Sequence, residues 1–492
     1  MSETMSGQPP ADRSEAGGAS AVTGAAPAKN VILLISDGAS FNTWDAATYY
    51  RFGGLGGEVY DDFDVKRFMS TYSLTTSSTP TYSLEGNGGY DPSRAWLAIP
   101  EEGVYRGTTT GQNYPDHFFA YDYLRQNPTD SAAAGTAIAS GVKTYNNAIN
   151  HDNFGRPLEH IGDTVVDAGK ALGIVSSVYW SHATPAAFGA QNINRNNYAE
   201  IAREMVEEGK ASVIMGGGHP YFDNNGDYRT PTSERDFQYV GGSETFTDAI
   251  TGQTAYRFID SREQFEALAA GELNLGADEK VLGTFRNGAT LQSSRDGAGS
   301  GGLIETVPDL ATMTRGALNV VERDQNGFFL MVEGGAVDWM AHANNLPRII
   351  EEQIDFNRAV EAAVEWVETK SSWAETLVIV TTDHGNGLLL GPRSDQVAFQ
   401  PIQNQGEGQP PLAQWHTDNH TVELVRLYAQ GAGGEGLSAL ADQRDYGLGY
   451  YGAQGAEQYY LDNTELHSAM LSALGLSVTA QQTDSAAAMA LA

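Results

Sequence analysis

"NVILLISDG", residues 30–38, decides the fold. Its apolar run has no polar face, is short for a helix, and stops at Asp37 and Gly38, so it reads as a strand buried on both sides. The pattern returns in "LGIVSSVYW" (172–180), "ASVIMGGG" (211–218), "GFFLMVEGG" (327–335) and "TLVIVTTDHG" (376–385). Helical periodicity separates some of these runs, as in "AEIAREMVEEG" (199–209) and "RIIEEQIDFNRAVEAAVEWVET" (348–369). Buried strands alternating with amphipathic helices predict an α/β fold: a large, mostly parallel central sheet with helices on both faces.

Outward from these elements the chain changes character. Residues 1–29 are rich in Ala, Gly, Ser and Pro with little to bury, and read as a disordered arm. Residues 30–475 read as one domain carrying two insertions. One spans about 51–120, with "GGLGG" and "STYSLTTSSTPTYSLEGNGGY"; the other spans 386–415 and is rich in Gln, Pro and Gly. Long loops in α/β proteins shape the site at the carboxyl ends of the strands. "TELHSAMLSALGL" (464–476) predicts a last helix, and 476–492 an Ala-rich polar tail.

The 492 residues include 62 acidic and 29 basic side chains, a net charge of -33. That balance excludes a protein that works by neutralising nucleic-acid phosphates and disfavours an anionic membrane surface. It is consistent with simple hydration and solubility, as in salt-adapted proteins. Cysteine is absent, so a transition metal must be held by nitrogen and oxygen. No stretch is apolar enough to span a bilayer, and no signal peptide is visible in this numbering.

Four of the five strand-like runs end in, or lead to, a side chain of metal-binding type: Asp37, His182, Glu333, and the adjacent Asp383 and His384. Ligands of open α/β sheets bind at those ends. A lone Asp after a strand is ordinarily a turn former; several together point to a site. In "VEGGAVDWMAH" (332–342), Asp338 and His342 are four residues apart, on one helical face, able to chelate an ion or to form a salt bridge. "WHTDNHTVELVRLYAQG" (415–431) adds His416 and His420, and spacing does not choose between them.

"NPTDSAAAGTAIASGVKTYNNAIN" (127–150) places Ser131 at the start of a small-residue helix, where free N–H groups favour an anion. Asp130 or Ser131 could equally be an N-cap; a neighbouring cation would activate the hydroxyl without a separate base. "SHATPAAFGAQNINRNNYAE" (181–200) supplies His182, Thr184 and Arg195, whose guanidinium can grip two phosphate oxygens. "MGGGHP" (215–220) lacks the Lys and Ser or Thr of a nucleotide loop, so His219 reads as structural. His117, His151, His160 and His467 have no partnering pattern and read as surface residues.

Taken in order after "LLISDG", the segments "DSAAAGTAIASGVKTYNNAIN", "ATPAA", "VEGGAVDWMAH", "TTDHGN" and "HTVELVRLYAQG" resemble the alkaline phosphatase family, over roughly residues 30–475. The resemblance implies hydrolysis of a broad range of phosphate monoesters through a phosphoserine on Ser131, with Arg195 holding the phosphate and Asp130 orienting it. It implies two zinc ions and one magnesium. Asp338, His342 and His420 would bind one zinc, and Asp37, Asp383 and His384 the other, with Ser131 facing it. Glu333, Thr184 and the other oxygen of Asp37 would bind magnesium. His416 becomes a pocket candidate. Where enteric bacterial members carry an Asp and a Lys, this chain has His182 and Trp339, as other members do, which bears on the third metal. The family also implies a homodimer and a periplasmic or secreted setting. A phosphodiesterase or sulfatase of the wider superfamily, and a silent phosphate or metal binder on the same scaffold, are the competing readings.

Overall fold

The computed structural model describes residues 27–100, 105–107, 113–115, 118–297, 299 and 301–477. Most of the N-terminal arm, nearly all of the tail and His117 lie outside the described residues. Eleven strands form one sheet. In chain order they are β1 (Asn30–Ile35), β2 (Val65–Ser70), β3 (Ala171–Tyr179), β4 (Val213–Gly217), β5 (Tyr256–Ile259), β6 (Lys280–Thr284), β7 (Phe328–Glu333), β8 (Thr376–Thr381), β9 (Val425–Gly431), β10 (Gln443–Arg444) and β11 (Tyr459–Asp462).

Their spatial order is β10-β11-β2-β9-β8-β1-β7-β3-β4-β6-β5. From β8 to β5 every pairing is parallel, whereas β9 runs antiparallel to both β8 and β2. The mostly parallel α/β architecture is therefore present, and its two faces explain the continuous apolar runs. Val31, Leu33 and Ile35 pack into one core with Leu172, Ile174, Met331 and Ile379. Ile32 and Leu34 pack on the opposite side with Val175, Leu330, Val378 and helix residues such as Phe356 and Val360. Burial of both faces leaves little place for charged side chains within these strands, so carboxylates appear where the strands stop.

The stretch read as an insertion at 51–120 contributes β2 to the central sheet, between β9 and β11. Lys66 and Arg67 interrupt its apolar pattern and hid it: only Val65 and Phe68–Ser70 are buried. In 386–415 the chain carries isolated bridges rather than long elements, yet buries Leu388, Leu389, Leu390, Phe399 and Ile402. His160 and His467 are buried, not on the surface. His160 is paired with Asp163 at 3.3 Å, and His467 lies on the inward side of helix Asn463–Ala473 with Leu466 and Met470.

Candidate metal centre

The adjacent strands β8, β1 and β7 stop in register: Ile35 lies beside Thr381 on one side and Glu333 on the other, and Glu333 beside Ser176 of β3, which runs on to Tyr179. Their ends thus deliver Asp383 and His384, Asp37, Glu333, and the turn to His182 side by side. Asp37, Glu333, Asp383 and His384 are fully buried. Gly38 makes the first turn possible. Its φ is +67°, and a Cβ there would lie 2.5 Å from Asp338 Oδ1, so no larger residue fits between β1 and the helix that carries Asp338.

That helix, Ala336–His342, carries Asp338 and His342 on one face as their spacing predicts: His342 Nε2 is 3.4 Å from Asp338 Oδ2. His420 Nε2 is 3.3 Å from Asp338 Oδ1 and 3.1 Å from His342 Nε2. Each imidazole is turned by its other nitrogen. His342 Nδ1 bonds the Asp418 carbonyl at 2.7 Å, and His420 Nδ1 the Thr129 carbonyl at 2.8 Å. With Nδ1–H donating, both Nε2 lone pairs face the cluster, the arrangement that orients metal-binding histidines. His384 Nε2 lies 3.5 Å from Asp37 Oδ1 and 3.4 Å from Asp383 Oδ2.

The donor atoms of three groups come within 4.8 Å of one another: Asp338, His384 and His420; Asp37, Asp383 and His384; and Asp37, His182 and Glu333. Both carboxylate oxygens of Asp37, Glu333 Oε1, Asp383 Oδ2 and Thr184 Oγ1 are buried without a hydrogen-bond partner. Buried carboxylates facing each other without donors are costly unless cations lie among them. The residues present therefore fit bound metal ions.

Charge in the protein alone reports the same frustration. Burial, then Asp383, Asp338 and Glu333, push the Asp37 carboxyl well above its ordinary range. Burial raises Glu333 to about 7 and Asp383 to about 6. For Asp338, burial is outweighed by His342 and His420, which hold it well below the usual carboxylate range. Burial and Arg195 push His182 down to about 3, so its imidazole is neutral at ordinary pH.

Ser131 opens helix Ser131–Ser140 as predicted, and Asp130 is the N-cap, accepting from Ala133 N at 3.0 Å. Ser131 Oγ lies 3.2 Å from His384 Nε2. Gly135 lets this helix pack close to its neighbour Ala183–Ala187: a Cβ there would be 3.0 Å from Ala187 Cβ. Asp130 Oδ2 also accepts from Asn147 N and from Arg195 Nη1, each at 3.0 Å. Arg195 Nη2 reaches His182 Nε2 at 3.1 Å. Burial works against the guanidinium charge, but Asp130 more than offsets it. Held at both ends, Arg195 retains further N–H donors for an anion.

Trp339 sits with its ring 5.9 Å from that of His182. His416 bonds Ser394 Oγ at 2.6 Å through Nε2 and packs against Tyr121, which ties it to the loop that follows His384. Sequence reasoning passed over three supporting side chains. Asn386 donates to Asp338 Oδ1 at 2.7 Å, Ser176 donates to Glu333 Oε2, and Ser40 bonds Glu423 and the Asn386 carbonyl. Ser176 stands inside "LGIVSSVYW", where a polar residue in an apolar run was the available signal; Asn386 stands inside "TTDHGN", beside two candidate ligands.

Fold and cluster together define an α/β protein built to bind metal ions at the ends of its parallel strands. Residues 116–433 match the family model described as Alkaline phosphatase, and the chain belongs to that family. It is 35% identical over 267 residues to alkaline phosphatase 4 of Bacillus subtilis, covering 53% of this chain but only about half the length of that relative, 50%. It is 26% identical over 449 residues to the alkaline phosphatase of Escherichia coli, covering 85% of this chain and 84% of that one. The solved alkaline phosphatase of the Antarctic bacterium TAB5 superposes with a TM-score of 0.58 over 92% of this chain and 99% of that chain, at 22% identity, which speaks to the fold.

Proposed function

We propose that the protein hydrolyses phosphate monoesters through a phosphoserine on Ser131. The observation that carries this reading is one placement: Ser131 Oγ, at a helix N-terminus, lies 3.2 Å from His384 within the acidic cluster, while Asp130 beside it anchors Arg195. Ser131 Oγ attacks phosphorus, the serine–phosphorus bond forms as the ester P–O bond breaks, and the alcohol departs, taking up a proton. Water then attacks the phosphoserine in line, releasing inorganic phosphate and restoring the hydroxyl. Arg195 holds two non-bridging oxygens, and Asp130 and His182 fix its plane. The buried helix start adds backbone N–H groups beside the same anion.

Asp338, His342 and His420 would hold one zinc, Asp37, Asp383 and His384 a second, and Asp37, Glu333 and Thr184 a magnesium. Bound there, these ions supply Lewis acidity that lowers the serine pKa and neutralises charge on the transferred group. Recognition centred on the phosphate supports a broad range of alcohols. Treatment with a chelator is expected to abolish hydrolysis of 4-nitrophenyl phosphate, and zinc with magnesium to restore it; undiminished activity in metal-free protein sinks the reading. The bis(4-nitrophenyl) diester should turn over far more slowly than the monoester, because Arg195 is matched to a dianion; the reverse order favours a phosphodiesterase.

A homodimer, export to the periplasm or medium, and adaptation to salt belong to the same reading. The first two rest on the family resemblance, and the third on the net charge of -33, whose self-repulsion salt relieves. Activity that holds or rises from dilute buffer to molar salt is the expected result, and a steep loss counts against it.

A further inference from the structure

Beside Arg195 and His182 lies an aromatic array that the metal cluster and the phosphate grip do not use. Tyr179 and Tyr239 stack face to face, with centroids 3.7 Å apart and an 8° interplanar angle. Tyr198 stands edge-on to Tyr239 at 5.0 Å, and Trp339 meets Tyr179 at 5.5 Å. The four rings come from the end of β3, the first turn of helix Tyr198–Glu207, the 3-10 helix Glu234–Val240 and helix Ala336–His342. All four are only partly buried.

Two further features hold the array in place. Gly218 has φ +93°, and a Cβ there would lie 2.8 Å from Tyr239 Cβ and 3.3 Å from Tyr179 Cβ, so the stack requires glycine. Ser181 Oγ donates to the Tyr239 carbonyl at 2.9 Å, tying that segment to the turn that carries His182.

In-line attack by Ser131 sends the leaving oxygen to the opposite side of phosphorus. The rings adjoin the phosphate grip: those of Tyr179 and Trp339 lie 5.7 and 5.9 Å from the ring of His182, which Arg195 Nη2 reaches at 3.1 Å. The alcohol carried by a phosphate on Arg195 therefore has partly exposed aromatic rings near the grip. Resting on the phosphomonoesterase reading, we propose that Tyr179, Tyr198, Tyr239 and Trp339 form a leaving-group platform that favours phosphomonoesters of aromatic or heteroaromatic alcohols over those of small polar alcohols.

The test compares phenyl phosphate with glycerol 2-phosphate on the metal-loaded enzyme. Tyr239→Leu is expected to lower kcat/KM for phenyl phosphate about 3- to 10-fold, the scale of one aromatic contact, and for glycerol 2-phosphate by less than about 2-fold. Tyr239→Phe should retain the preference. Inhibition should follow: the Ki of phenylphosphonate rises in Tyr239→Leu and that of methylphosphonate does not. Tyr198→Leu is the second variant, should loss of Tyr239 unfold the local turn. Equal losses on both esters, or no change on either, overturn the platform while leaving the hydrolytic reading intact. A wild-type protein that hydrolyses neither ester overturns the hydrolytic reading, and the platform with it.

Discussion

Replacing Ser131 with alanine is expected to lower kcat for any phosphomonoester by on the order of 10⁴-fold or more, because the proposed nucleophile is gone. The fold should tolerate the change. Alanine is a good helix residue at this first position, and the N-cap bond that Ala133 N–H donates to Asp130 is unaffected. Metal content should stay at the wild-type level, since the cluster keeps its carboxylates and imidazoles. Quench-flow with a ³²P-labelled ester should detect acid-stable phosphoprotein in the wild type and none in the variant. Turnover within about tenfold of wild type would exclude Ser131 as the nucleophile.

Asp37→Asn should be nearly as damaging, for a different reason. Asp37 belongs to two of the three groups of close-lying donor atoms, and both its oxygens are unpartnered. An amide cannot neutralise cations on two sides, so kcat/KM is expected to fall by at least about 10³-fold, the scale of several kcal/mol of lost charge stabilisation. Bound metal should fall with it. Stripped of metal, the variant should behave in the opposite sense.

The sign follows from the carboxyls. Glu333 is raised by burial from 4.5 to about 7, and Asp37 is raised well above its ordinary value by burial and its acidic neighbours. The folded state therefore binds these protons more tightly than the unfolded one. Its stability gain is complete below the ordinary carboxylate range and is lost as pH rises through about 7. The melting temperature of metal-free wild type should fall across that window. In Asp37→Asn the uncharged amide removes one of the mutually repelling charges and should flatten the fall. Unchanged metal content, or a steeper fall in melting temperature measured by calorimetry, would show that Asp37 is not the shared ligand.

Five of the parallel strands, β1, β3, β4, β7 and β8, were legible because burial on both faces leaves a continuous apolar run, and Asp37, Glu333 and Asp383 stood out as the first charged groups beyond such runs. The remaining strands, β5 and β6 among them, were not. β2 contains Lys66 and Arg67, and β10 is two exposed residues paired with one strand. Strands of that kind are fixed by their neighbours rather than by their own pattern. The i, i+4 spacing of Asp338 and His342 placed both on one face, but which histidine approached them from residues 416–420 depended on a carbonyl, that of Thr129, almost three hundred residues earlier in the chain. His160 shows the converse. An imidazole can be buried when a carboxylate lies one turn away, and Asp163 provided that cue at i, i+3.

Assembly of the cluster joins residues far apart in the sequence, from Asp37 to His420. Gly38 N donates to Asp383 across 345 residues, Ser40 reaches Glu423 across 383, and Ser131 meets His384 across 253. Closures of such length come late, after local helices and neighbouring strand pairs have formed. A chain still emerging from the ribosome cannot assemble the donor set until the segment bearing His420 has been synthesised. Ions held by the full set would therefore enter only after that segment has closed onto β1, β7 and β8, and metal retention would report that closure.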